Sequence, residues 1–492
     1  MIMNRKWIFL LLTLLIGCTY GVDAQNVSIK GKTKNAKDKV IEVYKDADKF
    51  SKKEQLLDYY AIGDNQTFEL EFTVKYPTLV FLQIENYSQS FFVEPGKDYE
   101  VVIHEFDWNI DEVMNVYQNP VALPLEFVGL DEDDLNFQMS AFDSVESEMI
   151  LKYRMFLDFR FKKDAKRIDT MMAALQSVWS DSDNEFFQSY KRHKIAELNY
   201  LFRLVPPRKI AEEYFKAQPI MYDDEGYTSL FNTFFSDYIS KGTKLLPIET
   251  LSRWVDEADL FKYLDSLGVD PILQHEQLRE LVALKALQES YYNDCYNSKM
   301  VIEMLKRFAN ESKFDMHRNI ALNVLNSFDE VVRQMEIPRC ELPNVDKETV
   351  VLDDMKGKWL YVGFVRVNDP NSLCEIETLA HFRDSIYQLG EMEFVTISCD
   401  REFQKLYHFI KNSKRGSRYN WTWLHFDGNF KMLDTYEVRS YPHFILINPD
   451  GKVESYSAPK PGDGFFVNSK WLKQAKVDGN EADQAFPFDK KR

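Results

Sequence analysis

The amino-acid sequence predicts a multidomain α+β protein. It has an N-terminal antiparallel β-domain, a central all-helical domain and a C-terminal α/β domain. Three observations carry this. Between Gln25 and Glu105, short runs alternate apolar and polar residues between turn signals, the period of half-buried strands. From about Asp131 to Gln334 the apolar spacing changes to three and four, the period of helices packed on a core. After Cys340, strand-like and helix-like runs alternate, which implies an α/β layer with a mostly parallel sheet. The 492 residues fit this organisation, because roughly 150 residues per domain gives about three domains.

Taken in order, the first 24 residues read as a targeting signal. Arg5 and Lys6 supply a positive start, and Trp7 to Ile16 is an apolar run too short to span a bilayer. Two exits fit. Leu15-Ile16-Gly17-Cys18 has the form of a lipobox, which would make Cys18 the lipidated N-terminus. Val22-Asp23-Ala24 before Gln25 has the form of an ordinary signal-peptidase site. No later stretch is long and apolar enough to cross a membrane. The mature chain is therefore expected to be exported, either to the periplasm or as an outer-membrane lipoprotein, with membrane contact only through a lipid anchor.

Residues 25–108 are assigned to the β-domain, with a sandwich-like arrangement. Val27 to Lys30 and Phe68 to Phe72 alternate, and Gly63-Asp64-Asn65, Tyr76-Pro77 and Glu94-Pro95-Gly96 supply turns. His104 stands alone and suggests no ligand role. Residues 109–338 are assigned to the helical domain, broken at Pro206-Pro207, Pro219, Gly226, Pro247 and Pro271. Leu278 to Lys285 reads as an amphipathic stripe, and the Phe231 to Phe235 run reads as core. Residues 339–476 form the α/β domain and 477–492 a polar tail.

Composition excludes several function classes. Apolar content of 45% and charged content of 28% are ordinary for a folded protein, and 37 Phe and 26 Tyr can fill large cores. The net charge of −17 without a basic block argues against nucleic acid and anionic membrane surfaces as partners. The 8 histidines show no paired spacing, so no metal is expected, and the lack of a phosphate loop leaves no cofactor expected. Of the 5 cysteines, none lies in a Cys-x-x-Cys, and a disulfide scaffold is not expected in so long a chain.

The α/β domain is organised around one stretch. Trp359 to Phe364 is a buried strand that ends in the polar turn Asn368-Asp369-Pro370-Asn371-Ser372, and a helix follows at once. Some 70 residues on come Tyr441-Pro442, the apolar run Phe444 to Ile447 and the turn Asn448-Pro449-Asp450-Gly451. Strand, turn, helix, then X-Pro-strand-turn-strand is the skeleton of a thioredoxin fold, in which the X-Pro bond is commonly cis. On Gly357-Lys358, Phe364, Glu375, Asp400, Val438, Tyr441-Pro442 and Asn448 to Val453, this domain resembles the TlpA/ResA-type thiol-disulfide oxidoreductases of bacterial envelopes. The three-part arrangement resembles exported proteins of Bacteroidetes. The specific motifs cover only Cys340 to about Ala458.

The resemblance implies a Trp-Cys-x-x-Cys motif after the strand, and here the chain departs. Asp369 and Ser372 occupy the two cysteine positions. The attacking species in disulfide exchange is a thiolate, so neither residue can serve. Two helix starts fit the replacement. Ser372 with Glu375 forms a capping-box pattern, or Asp369 caps with Pro370 at the first helical position.

Cys374 is the candidate nucleophile. With Ser372 as cap it would sit at N2, where the helix dipole favours a thiolate and Glu375 and Glu377 oppose it. The spacing Cys374-x-x-Glu377 is similar to that of peroxiredoxins, but Pro370 lies four residues before the cysteine where that family has seven. Cys399 ends the neighbouring strand at the same sheet edge and is the candidate partner of a shifted redox pair. Against this stands the plain role of a lone cysteine as a packed apolar residue. The leading expectation is a binding or scaffold module whose groove beside Tyr441-Pro442 takes a protein or peptide partner in the envelope. The alternative is a thiol reductase or peroxidase using Cys374, with or without Cys399.

Overall fold

The computed structural model describes residues 24–108, 120–157, 164–216, 218–242, 248–291, 296–328, 340–387, 392–412, 418–463 and 465. The expected targeting segment with Cys18, the cysteine at 295 and the polar tail lie outside these residues.

Among the described residues the first domain contains nine strands in two sheets: β1 (Gln25–Lys32), β2 (Val40–Asp46), β3 (Glu54–Ala61), β4 (Thr67–Val74), β5 (Thr78–Ile84), β6 (Tyr87–Val93), β7 (Asp98–Ile103), β8 (Val121–Ala122) and β9 (Leu125–Val128). The sheet orders are β4-β1-β7-β9 and β3-β2-β5-β6-β8. Alternation decides which face is inside: Val27 and Ile29 are buried while Lys30 faces out, and Leu70 and Phe72 do the same on β4. Inner residues of both sheets, such as Ile29, Val43, Leu82 and Val101, meet in one core. Pairing is mostly antiparallel, but β1–β7 and β6–β8 are parallel. β8 and β9 lie past residue 108, where the alternating pattern ends, and both add to the sheets of this domain.

The helical domain follows with α1 (Leu135–Leu157), α2 (Ala165–Ser177), α3 (Glu185–Leu201), α4 (Pro207–Tyr214), α5 (Glu225–Phe234), α6 (Ile248–Asp256), α7 (Leu260–Leu267), α8 (Glu276–Tyr291), α9 (Ser298–Glu311) and α10 (Asp315–Leu325). Asp164, Asn184, Asp224, Asp259 and Asn297 cap helix starts through their side chains. Phe231, Phe234 and Phe235 are core residues. α8 is not a one-sided stripe: Leu278, Glu280, Leu281, Val282, Ala283 and Leu284 are all buried, because neighbouring helices cover it on several sides. Its Glu280 carboxylate is matched inside by Ser312 Oγ at 2.6 Å and His317 Nδ1 at 2.9 Å.

The β-domain is anchored in the helical core at two points. Phe50, on the β2–β3 turn, sits edge-on to Phe231 at 5.3 Å, and Asn323 donates to Asp48 on the same turn at 2.8 Å. Phe92 on β6 packs edge-on to Phe186, and its backbone N–H donates to Asn136 Oδ1 at 2.7 Å. Among the described residues no helix is long and apolar enough to cross a membrane.

The third domain opens with the hairpin β10 (Glu341–Pro343) and β11 (Thr349–Val351). Its sheet has the order β14-β13-β12-β15-β16, with β12 (Trp359–Val365) central, β13 (Met392–Ser398) and β14 (Thr422–His425) parallel to it, β15 (His443–Ile447) antiparallel to it, and β16 (Val453–Ser455) antiparallel to β15. Between them lie α11 (Pro370–Tyr387), α12 (Phe403–Tyr407) and α13 (Phe430–Thr435). β12 is buried on both faces, which explains its unbroken apolar run. Gly363 at its centre is required by packing, since a Cβ there would stand 2.6 Å from the Phe444 ring.

Candidate functional site

The site grows out of the turn between β12 and α11. Five hydrogen bonds fix it. Arg366 N donates to Ser372 Oγ at 3.3 Å, and Asp369 N to Arg366 O at 3.0 Å. Val367 N reaches Asp400 Oδ2 at 2.8 Å from the end of β13. Ser372 N donates to Asp369 Oδ2 at 2.7 Å and Leu373 N to Asp369 O at 2.9 Å. Asp369 is thus the cap and Pro370 the first helical residue, the second of the two helix starts the sequence allowed. Ser372 is fully buried, three positions into the helix.

This corrects the capping-box alternative. Glu375 does not turn back on the helix start; its Oε2 accepts from Gly462 N at 2.7 Å, across 87 residues. Cys374 becomes the fifth helical residue rather than N2, beyond the unpaired N–H groups that would hold a thiolate. Its side chain is exposed. Glu377 is engaged elsewhere, accepting from the Tyr419 hydroxyl at 2.6 Å and pairing with Arg418 at 3.2 Å.

The far wall is the loop before β15, where the Tyr441-Pro442 bond is cis. Tyr441 is half-buried and lies against Cys399, which is wholly buried. The phenol and thiol are neighbours without well-formed hydrogen-bond geometry: the Tyr441 hydroxyl finds no partner, and the thiol makes only a 3.8 Å contact with Ile397 O. Burial pushes the Cys399 thiol far above its ordinary value and does the same to the Tyr441 phenol. Cys399 is therefore held as a neutral thiol beneath the loop. Cys374 and Cys399 are free thiols, and Cys340 packs with its sulfur 3.3 Å from that of Met432.

Asp400 joins the two walls. It is 1% exposed, and besides Val367 N its Oδ2 accepts from Ser398 Oγ at 2.8 Å. Its backbone carbonyl pairs with His425 Nε2 at 2.8 Å, so Nε2 carries the proton. Burial lowers the His425 pKa, and it lowers that of half-buried His443 on β15 as well. Next in sequence, Arg401 reaches Glu85 of the β-domain at 2.7 Å, a carboxylate shared with Lys39 at 2.7 Å. The anchoring by Asp400 and Arg401 was not legible from spacing. The only sequence trace is a polar Ser398-x-Asp400 at the end of an apolar strand. Among the described residues no three His, Cys, Asp or Glu side chains converge to hold a metal ion.

Residues 357–453 match a family model described as thioredoxin-like. The chain contains a thioredoxin-like domain. No curated protein matches it. Among solved structures, it is similar to a thiol:disulfide interchange protein from Bacteroides sp. at 20% identity, over 30% of this chain and 91% of that one, with a TM-score of 0.24. The thioredoxin domain of a thiol-disulfide oxidoreductase from Bacteroides vulgatus matches at 20% identity, over 28% and 96%, with a TM-score of 0.23. A thiol-disulfide oxidoreductase from Bacteroides fragilis matches at 19%, over 25% and 88%, with a TM-score of 0.21.

Chemically, the turn offers a carboxylate and a hydroxyl, both committed to backbone N–H groups. It supplies no thiolate. What it does supply is a rigid helix start facing a cis X-Pro loop.

Proposed function

We propose that the protein is an exported, non-catalytic relative of the TlpA-type oxidoreductases. In this reading the thioredoxin-like domain serves as a binding or scaffold module in the cell envelope. The observation that carries the reading is the commitment of Asp369 and Ser372. One caps the helix and the other is sealed beneath it, in place of the two sulfurs. The groove beside Tyr441-Pro442 is the contact surface, and its partner is an extended protein or peptide segment. Export rests on the Arg5-Lys6, Trp7–Ile16 and small-residue order of the first 24 residues, with Cys18 as the lipid attachment point if the lipobox is used.

The exposure of Cys374 favours a second reading, a thiol reductase or peroxidase working from that residue, with or without Cys399. Alkylation across pH with mass mapping of each thiol separates the two. Inert Cys399 and a Cys374 that titrates near the free value of about 8.5 support the binding module. A Cys374 reacting well below that value, or a Cys374–Cys399 link after mild oxidant, would sink it.

A further inference from the structure

His425, the last residue of β14, is 2% exposed, and both of its ring nitrogens are spent on backbone groups of opposite kinds. Nε2–H donates to Asp400 O at 2.8 Å, and Nδ1 accepts from Asp427 N–H at 3.1 Å. Only the neutral ring with its proton on Nε2 makes both bonds. A proton gained at Nδ1 turns the acceptor into a second donor, and two N–H groups then point at each other. A replacement acceptor stands nearby. Asp427 Oδ1 lies 3.9 Å from Nδ1, on a side chain 73% exposed and so able to swing in.

The charged groups that face the ring are Asp400, at the end of β13, and Asp427, in its own turn. α12 meets it with the uncharged Phe403 ring at 5.4 Å, and Lys347 of the β10–β11 hairpin lies over that phenylalanine, 5.3 Å from its centroid. Burial disfavours the charged ring and outweighs the two anions, so the ring is neutral near pH 7 and takes its proton in more acid solution. The bond from Asp427 N–H holds a tight reversal. Asp427 and Gly428 stand at φ 53° and 73°, and Asn429 N closes on Phe426 O at 2.9 Å. Asn429 Oδ1 then accepts from Met432 N at 3.0 Å, at the start of α13. Phe430 lies edge-on to Phe426 at 5.5 Å, with the Arg401 guanidinium 5.7 Å over its ring. Arg401 is the residue that reaches Glu85 of the β-domain.

We propose that His425 is an acid-operated latch between the thioredoxin-like domain and the β-domain. On taking a proton from solvent at Nδ1, the ring releases Asp427 N–H and pairs with the Asp427 carboxylate. The reversal opens, Phe430 withdraws from Arg401, and the link to Glu85 loosens. The bond from Nε2 to Asp400 O survives, so the ring stays in place while the turn beyond it moves. The latch works in the same way whether the domain binds a partner or acts through a thiol.

The test uses the full chain between pH 7.5 and 4.5. Hydrogen exchange, corrected for the intrinsic rate at each pH, is read over residues 425–432, around Glu85 and, as control, in the core of α8. The His425 ring is titrated by NMR alongside. The expected result is a fall of about tenfold in protection over 425–432 in step with the ring, a matching fall around Glu85, and no change in α8. Asp427→Asn alters an exposed side chain and keeps the fold. It should move the ring midpoint to lower pH, because the anion that receives the new N–H is gone, and the loss of protection should move with it. His425→Gln should flatten the step, and if that chain does not fold, Asp427→Asn decides. A ring that titrates while 425–432 or Glu85 keeps its protection would overturn the latch. So would a midpoint unmoved in Asp427→Asn, or a loss in α8 at the same pH.

Discussion

Replacing Asp400 with alanine should damage the protein more than any single change at the turn it supports. The carboxylate is 1% exposed, and its Oδ2 is the acceptor for two donors, Val367 N–H and Ser398 O–H, each at 2.8 Å. Alanine leaves both donors inside without a partner. A buried group stripped of its hydrogen bond costs about 1–3 kcal/mol, so the sum is about 2–6 kcal/mol. The Ser398 hydroxyl can rotate toward another acceptor, whereas Val367 N–H is fixed by the chain. That asymmetry places the expected loss in the lower half, at about 3 kcal/mol. Asp400→Asn keeps one oxygen and should cost about 1 kcal/mol. Urea unfolding followed by the fluorescence of Trp421 and Trp423 reads both variants, and hydrogen exchange at Val367 N–H reads the local effect. An Asp400→Ala loss below about 0.5 kcal/mol, or equal losses in the two variants, would refute the claim that this carboxylate holds the turn.

Further outcomes follow from the same geometry. Asp369→Ala removes the cap on Ser372 N and should cost about 1 kcal/mol in the same urea experiment, with Asp369→Asn close to the unaltered protein. Asp369→Cys with Ser372→Cys restores two sulfurs at the cap and the third helical position; we expect its insulin-reducing activity to exceed that of the unaltered protein, and no gain would show that the departure reaches beyond those two residues. Gly226→Ala drives a Cβ into the backbone of α3 and should lower stability by about 1–3 kcal/mol, read as a fall in unfolding midpoint. Burial holds the pKa of His193 and of His425 below the ordinary 6.5. The unfolded chain therefore binds more protons than the folded one in the window between each lowered value and 6.5, so stability is full above 6.5 and is lost as pH falls through that window. Urea midpoints at pH 7.5, 6.0 and 5.0 should decline in that order, and His425→Gln should shallow the decline.

The elements that local pattern could reveal are those whose signal lies within one run of sequence. The apolar Trp359 to Phe364 became the central strand, and the Tyr441-Pro442 loop followed from turn chemistry and the resemblance. β8 and β9 escaped because runs of two and four residues carry no periodicity; they are strands only because β6 and β7 offer them edges. The choice between Asp369 and Ser372 as cap was open for a related reason. Ser372-x-x-Glu375 satisfies the local rule, but Gly462 claims the glutamate from a distant loop, and no spacing within the turn records that. The contact between Cys399 and Tyr441 likewise depends on how the strands lie side by side. The α8 run read as an amphipathic stripe because Glu280 and Lys285 interrupt its apolar residues, yet Glu280 lies inside, its carboxylate within hydrogen-bond distance of a histidine on another helix.

Phe50 and Phe92 belong to the β-domain, which is made early, but the aromatic faces they fit are supplied by residues that follow by about a hundred positions or more. During synthesis the β-domain therefore emerges with two greasy pegs and no sockets. It must wait through the appearance of α3 for the first and of α5 for the second. For a chain that folds as it emerges, this delay suggests an order of assembly. The β-domain is the template, the helices close on it, and the thioredoxin-like domain arrives last, tied back to Glu85 by Arg401. A chain truncated before residue 185 would keep both phenylalanines and lose the rings they pack against.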